Sequence, residues 1–316
     1  MNFLSLLLTL FTVVELNCEN LFDCQHDSAK NDYEFLPTSE HKWTPSKYWR
    51  KLNNISKEIL SCTCDSMGHE RLPDLVVMCE VENDSVMRDL TKRSLLRGGR
   101  YEYVMTHSAD ERGIDVALLY QPFSFRLIKS FSIRPEPFGS HAPTRDILYV
   151  EGQIMSGDTV HLFAVHMPSR IGGETLSFPF RRHVAQTLRH AVDSLDAVNR
   201  NSKILIAGDF NDYASDSVLA ITAGDDLTNI SAGRGGSHGA KATYRYNGQW
   251  NSLDHIVVSD WFVGHLKNCR VNDIPFLLTD DKKYGGKKPH RTFLGYKFDN
   301  GYSDHLPLVA DFEFFQ

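Results

Sequence analysis

The sequence predicts an α/β protein built in layers on mixed β-sheets. Short apolar runs bounded by turn residues recur along the chain and have the length of buried strands. Stretches with apolar residues three and four apart, the mark of amphipathic helices, alternate with them. Hairpin-like strand pairs sit among these units, which argues for mixed sheets and against a doubly wound parallel sheet.

The 316 residues allow one large domain or two average ones. No repeat, low-complexity segment or linker divides them, so residues 1–316 are read as a single domain and a monomer is expected. With 41% hydrophobic and 23% charged residues, the composition is that of a globular protein with a sizeable core. A net charge of -6 argues against coating nucleic acid through bulk charge. A nuclease with a local basic groove remains compatible with it.

None of the six cysteines shows the C-x-x-C spacing of a structural zinc site. Cys79 lies in an apolar run and reads as a core thiol, while Cys62 and Cys64 are too close in sequence to bridge. Met1 to Leu10 is apolar like the core of an export signal, yet it lacks a basic start and a clear cleavage site. It is too short to span a membrane. A soluble protein is expected, with cytoplasmic and exported locations both open.

The elements follow in order. Phe11 to Asn17 is the first strand, and residues 24 to 45 form a long polar loop. A helix begins near Ser46, with Tyr48, Trp49, Leu52, Ile55 and Ile59 at helical spacing and Thr44 or Ser46 as its cap. Trp49 reads as core. Pro73 to Glu80 is a buried strand, and Asn83 to Leu96 a helix. Tyr101 to Thr106 and Gly113 to Tyr120 look paired. Phe125 to Ile133, Ile147 to Ile154 and Thr159 to His166 are further strands, and Phe178 to Asn199 is the longest helix. Lys203 to Gly208 is a β-branched strand that exits into Asp209-Phe210-Asn211-Asp212. Ser231 to Gly239 is a flexible Gly-rich loop without the Gly-Lys-Ser/Thr of a P-loop. Leu253 to Ser259 is a strand, residues 280 to 302 form a basic loop, and Leu306 to Phe315 closes the chain as a strand.

Chemistry gathers where these strands end. Apolar runs reach Asn17 and Glu19, Glu80, His166, and Asp209 with Asn211; Asp254-His255 opens a strand, and Ser303-Asp304-His305 precedes the last one. Any one is an ordinary strand exit, because Gly, Asp and Asn make most turns. Six together, with no nucleophilic serine or cysteine motif, favour a metal-assisted site. Carboxylate and amide oxygens suit a hard ion, Mg²⁺ or Mn²⁺, rather than zinc.

Seven segments then carry a resemblance. They are Asn17-Cys18-Glu19-Asn20-Leu21-Phe22-Asp23, Cys79-Glu80, Arg112-Gly113-Ile114-Asp115-Val116-Ala117, His166-Met167-Pro168, Gly208-Asp209-Phe210-Asn211-Asp212, Leu253-Asp254-His255-Ile256 and Ser303-Asp304-His305-Leu306-Pro307. In this order they resemble the motifs of the endonuclease/exonuclease/phosphatase superfamily, across nearly the whole chain. The resemblance implies a four-layer α/β/β/α sandwich, two facing mixed sheets with helices outside, and Mg²⁺-dependent phosphoester hydrolysis. It implies Glu80 as main metal ligand, with Asn17 holding the metal or the phosphate and Asp304 adding a metal contact. Asp209 would orient or deprotonate the attacking water, and Asn211 would contact the phosphate or steady Asp209. His305, oriented by Asp254, would stabilise the crowded phosphorane. His166 would stand near the leaving group as a general acid.

Other residues have two readings. Arg170 could grip a phosphate as a fork or be a solvated arginine. Lys282, Lys283, Lys287, Lys288 and Arg291 could touch substrate, although charge runs are usually solvated. Tyr244, Tyr246 and Trp250 could stack on a base, although alternating strand aromatics usually pack. Asp115, inside a strand, is expected to pair with Arg112 or a backbone group. The leading expectation is a nuclease-like phosphodiesterase acting on a phosphodiester substrate such as nucleic acid. The alternative is a phosphatase or phospholipase-type phosphodiesterase on a small or lipid phosphate. A non-catalytic binding module is disfavoured because Glu80, Asp209, Asp304 and His305 are all present.

Overall fold

Side-chain alternation along the strands sets the architecture. The computed structural model describes residues 8–63, 71–139, 141–170 and 172–315. In chain order the strands are β1 (Leu8–Leu21), β2 (Leu75–Val81), β3 (Glu102–Met105), β4 (Asp115–Tyr120), β5 (Phe125–Ile133), β6 (Ile147–Ile154), β7 (Thr159–His166), β8 (Ile204–Asp209), β9 (Leu227–Asn229), β10 (Tyr244–Tyr246), β11 (Gln249–Asn251), β12 (Asp254–Ser259), β13 (Leu266–Val271), β14 (Leu278–Asp280), β15 (Lys287–Pro289), β16 (Phe293–Leu294), β17 (Lys297–Phe298) and β18 (Leu308–Phe315). The principal helices are α1 (Pro45–Ser61), α2 (Asp84–Lys92), α3 (Glu174–Val198) and α4 (Ser217–Ala223).

Twelve strands form two six-stranded sheets, ordered β13-β18-β1-β2-β4-β3 and β5-β6-β7-β8-β12-β9. Each is mixed: β1 runs parallel to β2, β7 runs parallel to β8, and the other neighbours are antiparallel. In β2, Leu75, Val77 and Cys79 face the other sheet, where they meet Leu162, Ala164, Leu205 and Ala207. The alternate residues Val76 and Met78 pack outward on Leu52, Ile55 and Ile59 of α1. On the second sheet Phe163, Val165 and Ile206 face Val184, Leu188 and Val192 of α3. Both faces of each sheet are thus covered, as the unbroken apolar runs require. The result is the α/β/β/α sandwich. Each such buried aliphatic side chain contributes roughly 1.5–3 kcal/mol.

Several expected boundaries shift. The helix expected over Asn83 to Leu96 stops at Lys92 and gives way to a 3-10 turn over Leu95–Gly99. Its start is as expected, with the Asn83 side chain accepting the Val86 N–H. Thr44 stands at the start of α1 but makes no side-chain capping bond. Helix α3 begins at Glu174, before Pro179, so the proline sits inside its second turn. The 280–302 segment is not one open loop. It contains β15 and the β16–β17 hairpin, whose two- and three-residue strands are too short to show a period. The Ser231–Gly239 loop, expected to be flexible, is tied down: the Asp273 carboxylate accepts the N–H groups of Ser237, His238 and Ala240. Residues 1–7 and Cys64 lie outside the described residues. Among the described residues no helix is long and apolar enough to cross a membrane.

Candidate active site

The two parallel pairs aim their C-terminal ends at one cavity. In the first sheet Asn17 lies opposite Cys79, and the register breaks immediately after, carrying Glu80 over the edge. In the second, His166 lies opposite Asp209. Antiparallel pairing then places Asp254 beside Asp209. His305 precedes β18 and bridges to Tyr244 of the β10–β11 hairpin.

The backbone is strained where it delivers these groups. Among the described residues eight non-glycine residues have positive φ, and four of them are Glu19, Asn20, Glu80 and Asn211. Such conformations persist only where surrounding bonds impose them. Gly208 has φ +151, and a Cβ there would meet the Val165 carbonyl oxygen at 1.8 Å. Glycine alone allows β7 and β8 to close so tightly just before Asp209.

Asp209 is held from two sides. Asn17 Nδ2 donates to its Oδ2 at 3.0 Å and the Asn211 N–H donates to its Oδ1 at 2.8 Å. Burial, then the charge of Asp254, pushes its carboxyl up to about 7, against the pull of His305. His305 Nδ1 meets both Asp254 oxygens, at 2.7 and 3.0 Å. Burial pulls the His305 ring down, but Asp254 outweighs it and holds the ring well above the usual histidine range. The ring is therefore an imidazolium at neutral pH. His166 shows the opposite balance. Burial, then the Arg145 and Arg112 charges, holds it well below the usual range. Its Nε2 lies 3.7 Å from Asp209 and 4.0 Å from Glu80, and its Nδ1 is buried without a partner among the described residues. A neutral ring there offers one N–H and one lone pair.

Asn17, Glu80, His166, Arg170, Asp209, Asn211, Asp304 and His305 all line this cavity of about 550 Å³, and Asp254 lies beneath His305; the lysines of the basic segment, Arg291 and Trp250 do not line it. Arg170 borders it, yet its guanidinium is engaged. It pairs with Glu174, with Asp212 at 3.4 Å and with Asp216 at 3.6 Å, and lies over the Tyr213 ring. Asp304 faces the cavity and also binds Arg291 Nη2 at 3.0 Å. Of the two partners expected for Asp115, Arg112 or a backbone group, the structure shows the backbone group. Asp115 accepts the Thr106 hydroxyl and the Ser108 N–H, satisfying a buried carboxylate locally. The sequence reading passed over Arg112 itself, which lines the cavity, donates to Asn20 Oδ1 at 2.8 Å and reaches within 4.0 Å of Glu80. Its signal was the arginine before Gly113. It also left Glu19 without a part; that carboxylate accepts Arg291 Nε and the Thr292 N–H.

The donors fit a hard divalent ion. Glu80 Oε2 accepts the Asn20 N–H, while Oε1 makes no hydrogen bond among the described residues. Glu80, Asn17 and Asp304 offer only oxygen to an ion. Asp209, Asp254 and His305 also converge within 4.8 Å of one another, but His305 Nδ1 is already committed to Asp254. The second acidic cluster, Glu174, Asp212 and Asp216, is balanced by Arg170 and Arg181.

Comparison with known proteins follows the same lines. Among curated protein sequences none matches this chain. Solved structures share the fold at low identity. An endonuclease/exonuclease/phosphatase family protein from Bacteroides thetaiotaomicron superposes with a TM-score of 0.62 at 16% identity, covering 98% of this chain and 97% of its own. The mannosyl-6-phosphatase of the same organism gives 0.59 at 15%, covering 95% and 98%. Truncated Caenorhabditis elegans TDP2 gives 0.59 at 16%, covering 96% and 97%. The Endonuclease/Exonuclease/phosphatase family profile matches residues 12–313. The chain therefore belongs to this family of phosphoester hydrolases.

Proposed function

We propose that this chain, acting as one domain, is a Mg²⁺-dependent phosphodiesterase of nuclease-like type, with Mn²⁺ as a substitute ion. The observation that carries the reading is the Asp254–His305 pair set beside Asp209 at the cavity that Glu80 borders. Glu80, with Asn17 and Asp304, would hold the Mg²⁺, which when bound would supply charge neutralisation at the phosphoryl oxygens. The remaining steps belong to the protein. Asp209, a carboxylate that burial brings to about 7, takes the proton of the attacking water at an operating pH near its own value. Asn17 and Asn211 fix its two oxygens, so its free lone pairs point into the cavity. The water oxygen bonds to phosphorus as the bond to the leaving oxygen breaks. The His305 imidazolium donates from Nε2 to a phosphoryl oxygen whose charge grows in the transition state. His166, held neutral, donates a hydrogen bond near the leaving oxygen.

The runner-up is a phosphatase on a small or lipid phosphate. It is favoured by the acidic net charge and by a second cavity of about 310 Å³ beyond Arg291, lined by Phe35, Trp43 and Phe293. One panel separates the two: hydrolysis with Mg²⁺ of plasmid DNA, single-stranded RNA, an aryl phosphodiester and an inositol phosphate, each beside Asp209→Asn. The proposal expects diesters to be cleaved and Asp209→Asn to be inactive. Cleavage of monoesters alone would establish the runner-up.

A further inference from the structure

We propose that two interlocked hairpins form a track for single-stranded nucleic acid leading out of the catalytic cavity. The inference rests on the phosphodiesterase reading above. The first hairpin, β10–β11, begins at the site: the Tyr244 ring lies 4.7 Å from the His305 ring. Tyr246, two residues on, is on the same strand face, about 6.8 Å further out. Both border the cavity. Tyr246 is 65% exposed and has no ring partner or hydrogen bond among the described residues. The second hairpin, β14–β15, carries Tyr284 in its turn, 45% exposed.

The hairpins are locked in register. The Tyr284 hydroxyl donates to Asn247 Oδ1 at 3.1 Å, and a Cβ on Gly248 would come within 2.9 Å of the Tyr284 ring. Arg245 reaches across from the other side. It donates to the carbonyls of Gly285 and Lys287 and pairs with Asp281 at 3.5 Å. Three tyrosines thus stand on one locked pair of hairpins that begins at His305.

Charge supports the same occupant. Asp280 is balanced by Lys287 and Asp281 by Arg245. Among the described residues Lys282 and Lys288 have no carboxylate at ion-pair distance, and Lys283 lays its ammonium 4.7 Å from the centre of the Tyr284 ring rather than on a carboxylate. A chain of net charge -6 therefore presents a locally positive hairpin beside its catalytic cavity. Exposed rings accept any base face, and lysines follow the phosphates; together they suit a single strand. A duplex hides its base faces and leaves the rings nothing to stack on.

The test is binding of a ten-nucleotide oligothymidylate, and of its duplex, to the Asp209→Asn protein with Mg²⁺ over a range of salt. Each ring removed by Tyr246→Ala or Tyr284→Ala should weaken single-strand binding about 5- to 150-fold, the range for loss of one stacked base. Tyr284→Phe should keep the affinity, which separates stacking from the Asn247 bond. Lys282→Ala with Lys283→Ala should flatten the logarithmic salt slope by about 1.4. In the otherwise wild-type protein, Tyr284→Ala and the lysine pair should leave aryl phosphodiester turnover unchanged. The track is overturned by oligonucleotide affinity that ignores these changes, by equal losses for the duplex, or by equal losses on the aryl ester. If the wild-type protein hydrolyses no phosphodiester while the binding results hold, the phosphodiesterase reading fails and the track stands.

Discussion

The two parallel strand pairs are built alike and loaded differently. β1 and β2 lie at the centre of one sheet and end in Asn17 and Glu80; β7 and β8 lie at the centre of the other and end in His166 and Asp209. At the first pair the register breaks, three residues adopt positive φ, and Glu80 keeps an oxygen free of hydrogen bonds among the described residues. At the second pair the register holds to the end, Gly208 pulls the strands together, and both side chains are buried. A partly buried carboxylate that opens to the cavity on a kinked edge is suited to holding an ion. Buried groups with shifted protonation are suited to moving a proton. The same fold element thus serves two chemical tasks because one end is wet and the other dry.

The largest expected effect tests the dry side. His305→Ala should lower turnover about a hundredfold to a thousandfold, the usual loss for a donor aimed at developing charge. Asp254 raises the His305 ring, so Asp254→Asn should be slow and should lose activity at lower pH on the alkaline side. If the pair acts as a unit, the double variant should be no slower than His305→Ala. Rate losses that multiply independently would remove Asp254 from this part.

The wet side should respond in a different variable. Glu80→Gln replaces a carboxylate by a poorer ligand for a hard ion, so half-activation should need on the order of tenfold more Mg²⁺. Saturating Mg²⁺ should restore much of the rate. Asp209→Asn should do the reverse, abolishing turnover that no Mg²⁺ concentration recovers. An identical Mg²⁺ response in the two variants would erase the distinction drawn between the two strand pairs.

These elements were unequally legible in the sequence. The long strands and the order of the site residues could be read, because an apolar run ending in a polar residue is a local signal. Arg291 could not be placed: it was grouped with surface lysines, whereas it binds Glu19, 272 positions away, and Asp304. A contact across that separation leaves no periodic trace. Lys287, grouped with it, spends its charge on Asp280. The short hairpins of residues 278–298 were missed because strands of two or three residues have no pattern to detect. Buried sites were read as apolar runs even where a charge interrupted them, and Glu15 is the case in point.

Glu15 is where the two sheets differ most inside the core. Two residues before Asp209 the inward position of β8 is Ala207; two before Asn17 the inward position of β1 is Glu15. Glu15 is fully buried, and neither carboxylate oxygen has a hydrogen-bond partner among the described residues. Burial, then the charges of Asp254 and Asp209, raises it well above the usual carboxyl range. An unfolded glutamate titrates near about 4.3. Because the folded value is higher, the native state binds the proton more tightly. Stability tied to this group is therefore present below about pH 4.3 and falls as pH rises toward the folded value. Glu15→Met, similar in volume and without charge, should raise the melting temperature of the metal-free protein. It should raise it more at pH 8 than at pH 5. A gain equal at both pH values would show that Glu15 carries no charge penalty and that the two strand pairs rest on equivalent cores.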